Sequence, residues 1–155
     1  MKFRLIIPFL FLTSCGFQVS NLETNYNILS IDTSGDQRVN YKLKNEILKS
    51  SSDSAINQIE IEIFSKKTKD IKEKNIKNEV TKYSLSIKAD VNYKLLDSGT
   101  SDKFTIVKSG DYNVSSKYSG TLNNEKSLTK TLINDLAEEI LENLSFKIKW
   151  YIKAT

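Results

Sequence analysis

From Tyr83 to Leu95 the odd-numbered positions are Tyr83, Leu85, Ile87, Ala89, Val91, Tyr93 and Leu95, while Lys82, Ser84, Ser86, Lys88, Asp90, Asn92 and Lys94 hold the even ones. Period two of this length predicts a strand with one face in the core and the other against water or a partner. Asp97-Ser98-Gly99 is a turn signal, and Phe104–Val114 reads as the return strand of a hairpin, with Gly110 marking a bulge. Upstream, Ile59, Ile61 and Ile63 alternate with Glu60 and Glu62, predicting a strand over Gln58–Ser65, and Ile28–Asp32 predicts a shorter one.

Two other stretches carry the helical period. Val39, Leu43 and Ile47 recur at i, i+4 and i+8, predicting a helix over Asp36–Lys49 that the Ser-rich stretch Ser50–Ser54 ends. Ser34 and Gln37 stand at capping-box spacing before it. Leu128, Leu132, Leu136, Ile140 and Leu144, flanked by Ile133, Ala137 and Leu141, predict a long last helix capped by Asn123 or Asn124. The tail Lys147–Thr155 continues that helix or crosses the sheet edge. Between the second and third strands, lysines at 66, 67, 69, 72, 74 and 77 face only Asp70 and Glu73. That segment reads as a solvated, charged loop.

The order β-α-β-β-β-α gives one apolar sheet face and two apolar helix stripes, which bury each other in two layers. The expected fold is α+β, two helices packed on one face of a four-stranded, mostly antiparallel sheet. No internal repeat or second domain is visible.

The first residues have a different logic. Lys2 and Arg4 precede the apolar run Leu5–Leu12, interrupted by Pro8 and too short to span a bilayer, so 1–14 reads as a signal peptide. The run closes on Leu12-Thr13-Ser14-Cys15, which looks like a bacterial lipobox. Small side chains admit the peptidase to the backbone, and the Cys15 thiol accepts diacylglycerol. Residues 15–27 then form an acylated tether and 28–155 a single domain. Gly16, where an Asp would favour retention at the inner membrane, points to the outer membrane.

Composition narrows the chemistry. The chain has 155 residues, one cysteine, no histidine and a formal charge of +4. Without histidine there is no Ser-His-Asp triad, imidazole base or His-ligated metal. One cysteine, assigned to lipid, leaves no internal disulfide and no cysteine nucleophile. No phosphate-cradling glycine motif occurs. Removing Lys2 and Arg4 with the leader halves the basic excess, which argues against a nucleic-acid partner. No cofactor is expected.

Together, Cys15-Gly16-Phe17, the short strand and helix, the hairpin, Gly110-Asp111-Tyr112-Asn113-Val114, a polar loop and the final run Leu132-Ile133-Asn134-Asp135-Leu136-Ala137-Glu138-Glu139-Ile140-Leu141-Glu142-Asn143-Leu144 resemble the LPS-assembly lipoproteins of the LptE family, particularly the alphaproteobacterial ones. The resemblance spans the mature chain in element order and implies two helices on a four-stranded sheet. It implies a non-enzymatic lipoprotein at the periplasmic face of the outer membrane. Its partners would be the β-barrel LptD, which it plugs and helps assemble, and lipopolysaccharide. The polar sheet face and loops would meet the barrel's polar interior, where charged contacts give register more than affinity. The alternative is another envelope lipoprotein, a lipid-binding or scaffolding subunit of a different complex. Family members carry lipopolysaccharide-contacting basic residues in the turn before the long strand and the loop before the last helix. The aligned positions here are Ile76 and Thr121, neither basic, so Lys74, Lys77 and Lys117 are the nearest candidates. Their ammonium groups would meet lipid A phosphates as point charges.

Other constellations are weaker. Tyr83, Tyr93 and Tyr112 could stack bases between lysines, but alternation assigns the first two to the core. Asp135, Glu138, Glu139 and Glu142 could pair as carboxylates in a hydrolase, but helical spacing puts them on the solvated face. Trp150 and Tyr151 are candidates for a membrane interface or for capping the core.

Overall fold

In a computed structural model of the chain, residues 26–49, 55 and 57–154 are described. The leader, Cys15, the tether up to residue 25 and the stretch Ser50–Ser54 lie outside them. The elements are β1 (Tyr26–Gly35), α1 (Gln37–Lys49), β2 (Asn57–Lys74), β3 (Val80–Leu95), β4 (Ser101–Asn113) and α2 (Tyr118–Ala154). The sheet order is β1-β2-β3-β4. β1 lies parallel to β2 through the α1 crossover, and the other pairs are antiparallel.

Register carries the predicted alternation across the sheet. Ile63, Val91 and Phe104 stand side by side, as do Ser65, Ala89 and Ile106. All six face the helices, where Leu43, Ile47, Leu136, Ile140 and Leu144 complete one continuous core. The opposite face presents Glu62, Asn92 and Lys103 in one row and Phe64, Asp90 and Thr105 in the next. Apart from half-buried Asp90, these are exposed.

A polar pin joins β1, α1 and the middle of β2. The Asp36 Oδ1 accepts from the backbone N–H of Arg38 at 3.0 Å and Val39 at 3.1 Å, so Asp36 is the helix cap. Ser34 cannot form the predicted capping box with Gln37 because it is still in β1, paired with Phe64. Ser65 Oγ donates to Asn40 Oδ1 at 2.6 Å, and Asn40 Nδ2 donates to the Ser34 carbonyl at 3.0 Å. These partners explain how Asn40 and Ser65 can be buried within an apolar layer.

Three other expectations need correction. Lys66–Lys74 is not a loop: it continues β2 and pairs with β3 from Lys66↔Lys88 to Lys74↔Val80, leaving only residues 75–79 as the turn. Lys67 and Lys69 stand opposite Ile87 and Leu85, and their aliphatic stems supply cover that the alternation pattern would assign to Leu or Ile. Gly110 is not a bulge, since β3 and β4 pair without a break. A Cβ there would lie 2.9 Å from Leu128 Cδ1, so Gly110 instead permits close approach of α2. Finally, α2 begins at Tyr118 rather than after an Asn123 or Asn124 cap, and the tail continues it through Ala154. Asn124 Nδ2 donates back to the Asn113 carbonyl at 2.9 Å instead.

Candidate functional site

β1 ends opposite Ser65, so beyond that point the sheet is three strands wide. This outer arm has a short hairpin tip. Asn75 accepts at its side-chain oxygen from the backbone N–H of Lys77 (2.9 Å) and Glu79 (3.0 Å), and Asn78 takes a left-handed φ of 63°. Asparagine suits both positions, since its side chain mimics a turn and tolerates positive φ. Lys74 Nζ donates to Asn78 Oδ1 at 3.0 Å, and Lys77 stands on the same tip. Between them Ile76 is wholly exposed. Lys117 lies in the link from β4 to α2, where its carbonyl accepts from the N–H groups of Gly120 and Thr121. Val114, at the start of that link, donates its N–H to the Thr81 carbonyl, so tip and link belong to one end of the sheet.

The first turns of α2 clamp this arm from the helix side. Glu125 Oε1 accepts from Lys67 Nζ at 3.0 Å, and its Oε2 accepts from Lys69 Nζ and the Tyr112 hydroxyl, each at 2.8 Å. Lys69 Nζ also sits 4.2 Å from the centre of the Tyr83 ring, which stacks on Tyr112 at 5.6 Å. The Lys69 ammonium, with further help from Lys67 and Tyr112, holds the Glu125 carboxyl down at about 2. Lys69 is pushed up, chiefly by its hydrogen bond to Glu125, and burial raises Tyr112.

Because the folded value lies below the ordinary 4.5, this carboxylate's contribution is complete above pH 4.5 and is lost as pH falls towards 2. Glu125→Gln is expected to cost about 1–2 kcal/mol at pH 7, allowing for partial solvent screening, and little near pH 2. Urea unfolding at the two pH values checks this; an equal cost at both would remove charge pairing as the cause.

The remaining charged positions are mostly structural. Tyr83, Tyr93 and Tyr112 face the helix side, and with Tyr83 and Tyr112 stacked under Lys69 they offer no open platform for bases. Glu139 is not merely solvated, as helical spacing suggested: it pairs with Lys108 on the inner face of β4. Lys72 pairs with Asp111 and Lys82 with Glu73 on the arm. Among the described residues no cluster of carboxylates or cysteine could hold a metal, and no helix is long and apolar enough to cross a membrane. A groove of about 690 Å³ runs between α1 and α2, with Leu48 and Ile133 among lysines 42, 49 and 130. Periodicity singled out none of Lys67, Lys69 and Glu125; only the unbalanced lysine run hinted that its charges have partners elsewhere.

No protein-family model and no curated protein matches the chain. Among solved structures it is similar to rare lipoprotein B from Shewanella oneidensis, with 15% identity and a TM-score of 0.62, over 81% of this chain and 99% of that one. It is also similar to an uncharacterized lipoprotein B from Nitrosomonas europaea, with 12% identity and a TM-score of 0.56, over 96% of this chain and 94% of that one. At such identities the likeness is one of architecture: this chain has the fold seen in the lipoprotein B structures.

Proposed function

We propose that the chain is an outer-membrane lipoprotein of the LPS-assembly class, acylated at Cys15, that plugs and helps assemble an LptD-type β-barrel and contacts lipopolysaccharide without making or breaking a bond. The observation that carries this reading is the outer arm. Its tip places a fully exposed Ile76 between Lys74 and Lys77, an apolar finger flanked by ammonium groups. Such a pairing suits a ligand that joins phosphates to acyl chains, as lipid A does. The likeness to lipoprotein B structures supports the envelope setting. On this reading the exposed, polar sheet face meets the barrel's interior and sets its register.

Two measurements test the proposal. Detergent pull-down of the acylated chain should bring down a stoichiometric outer-membrane barrel, identifiable by mass spectrometry; recovery of a different envelope complex would favour a scaffolding subunit elsewhere. The variant Lys74→Glu/Lys77→Glu/Lys117→Glu should bind lipopolysaccharide roughly tenfold more weakly, since three point charges change sign. Unchanged binding would sink the charge-pairing idea and leave these lysines as a solubilising surface.

A further inference from the structure

The end of the molecule opposite the arm carries its own uncommitted surface. Along the last turns of α2, Leu144 and Ile148 are buried while Phe146 and Trp150, four residues apart on the other side, are 75% and 61% exposed. Trp150 meets the Tyr151 ring edge-on at 5.2 Å, yet it and Phe146 still expose most of their surface, which large aromatic rings seldom do without a partner surface. Exposed Lys149 and Lys153 flank them, and from Ser145 onward the sequence contains no acidic residue. A partner with anionic groups above an apolar layer matches this combination of rings and ammonium groups.

Position supplies the second argument. The buried Tyr26 hydroxyl, at the start of β1, donates to the Leu141 carbonyl of α2 at 3.4 Å. Lys147 pairs with Asp102 at the beginning of β4. The start of β1 and the end of α2 are therefore neighbours, and helical rise carries Trp150 only about 14 Å beyond Leu141. The chain between Cys15 and Tyr26 can span at most about 40 Å. A lipid on Cys15 thus tethers this end within about 40 Å of the bilayer.

We infer that Phe146 and Trp150, with Lys149 and Lys153, form a second contact with the phospholipid surface entered by the Cys15 anchor. The helix lies against the headgroups there and does not span. The inference rests on reading Cys15 as acylated, and one weakly bound surface patch joined to acyl chains is the usual way a peripheral protein gains a fixed orientation.

Trp150 is the only tryptophan in the sequence, so its fluorescence reports this site alone. The test uses the full acylated chain in vesicles of phosphatidylethanolamine and phosphatidylglycerol whose acyl chains carry bromine. Trp150 emission should shift to the blue and fall about twofold through bromine quenching, with iodide in the water quenching little. Phe146→Glu should at least halve the bromine quenching, while Tyr41→Glu, on exposed α1 surface, should leave it unchanged. Full iodide quenching with no bromine effect would overturn the contact, as would shielding from both quenchers, which means that protein covers the rings. Mass spectrometry of the same sample reads the anchor separately. If Cys15 carries no lipid, the anchor reading fails; bromine quenching would then still support the contact, and its absence would overturn it.

Discussion

Gly35→Ala should lower the stability of the fold by about 3–4 kcal/mol, a large share of the roughly 5–15 kcal/mol available to a domain of this size. Two costs combine. Gly35 has a φ of 94°, a region that L side chains rarely adopt, and a Cβ there would lie 2.0 Å from the Ser65 carbonyl oxygen. That oxygen cannot yield, because it accepts the Asp36 N–H at 3.0 Å while Ser65 Oγ holds Asn40. Moving Ser65 would loosen both the α1 cap and the parallel pairing of β1 with β2. Gly99 is the internal control. It also has positive φ (67°), but nothing lies within 4 Å of a Cβ, so Gly99→Ala should cost only about 1 kcal/mol. Urea unfolding should show a much lower midpoint for the first variant with an unchanged slope. Equal shifts for the two glycines would mean that Ser65 imposes no steric limit.

The elements that follow a burial pattern were legible, and those that break one were not. β3 lies between β2 and β4 with one face under the helices, so its two faces meet opposite environments and its sequence alternates accordingly. The same holds for Ile59, Ile61 and Ile63, and for the stripe from Leu128 to Leu144. The outer half of β2 has no such contrast. Apart from Ile71 both its faces are polar, because β1 stops at Ser65 and the layer beneath consists of lysine stems, tyrosine rings and Glu125. The first turns of α2 were missed for the same reason: they pack on that polar layer and need no leucine stripe.

The clamp around Glu125 was illegible for a topological reason. Its lysine partners are 58 and 56 residues away in sequence, and only the long hairpin folding under α2 brings them within reach. A local window sees Glu125 as one charge in a polar run. Once the clamp is in place, the arm becomes a stiff extension whose exposed tip is free of any packing duty. Binding residues gain from such support, because less motion must be lost when a ligand is met. Lys74 and Lys77 stand outside the Glu125 clamp, so changing them should test the proposed binding without unfolding the chain.

Measured without the proposed barrel, Cys15→Ser should move the protein almost wholly from the membrane fraction to the soluble fraction, a change of more than about 100-fold in partition. One acyl chain gives marginal, reversible binding and several give stable anchoring, so with Cys15 as the proposed lipid site its loss should abolish the main attachment at once. What would remain is the proposed Phe146–Trp150 contact, to which Lys149 and Lys153 would add a weak, salt-sensitive attraction. The same substitution should leave the unfolding midpoint unchanged; among the described residues the core runs from Tyr26 to Ile148. It should also reduce recovery of the proposed barrel partner far less in detergent than in cells, since detergent removes the need for co-localisation. Membrane fractionation with a high-salt wash decides the matter. A Cys15→Ser chain that stays with barrel-free membranes after the wash would show that retention comes from the folded domain, and the lipobox reading would fall.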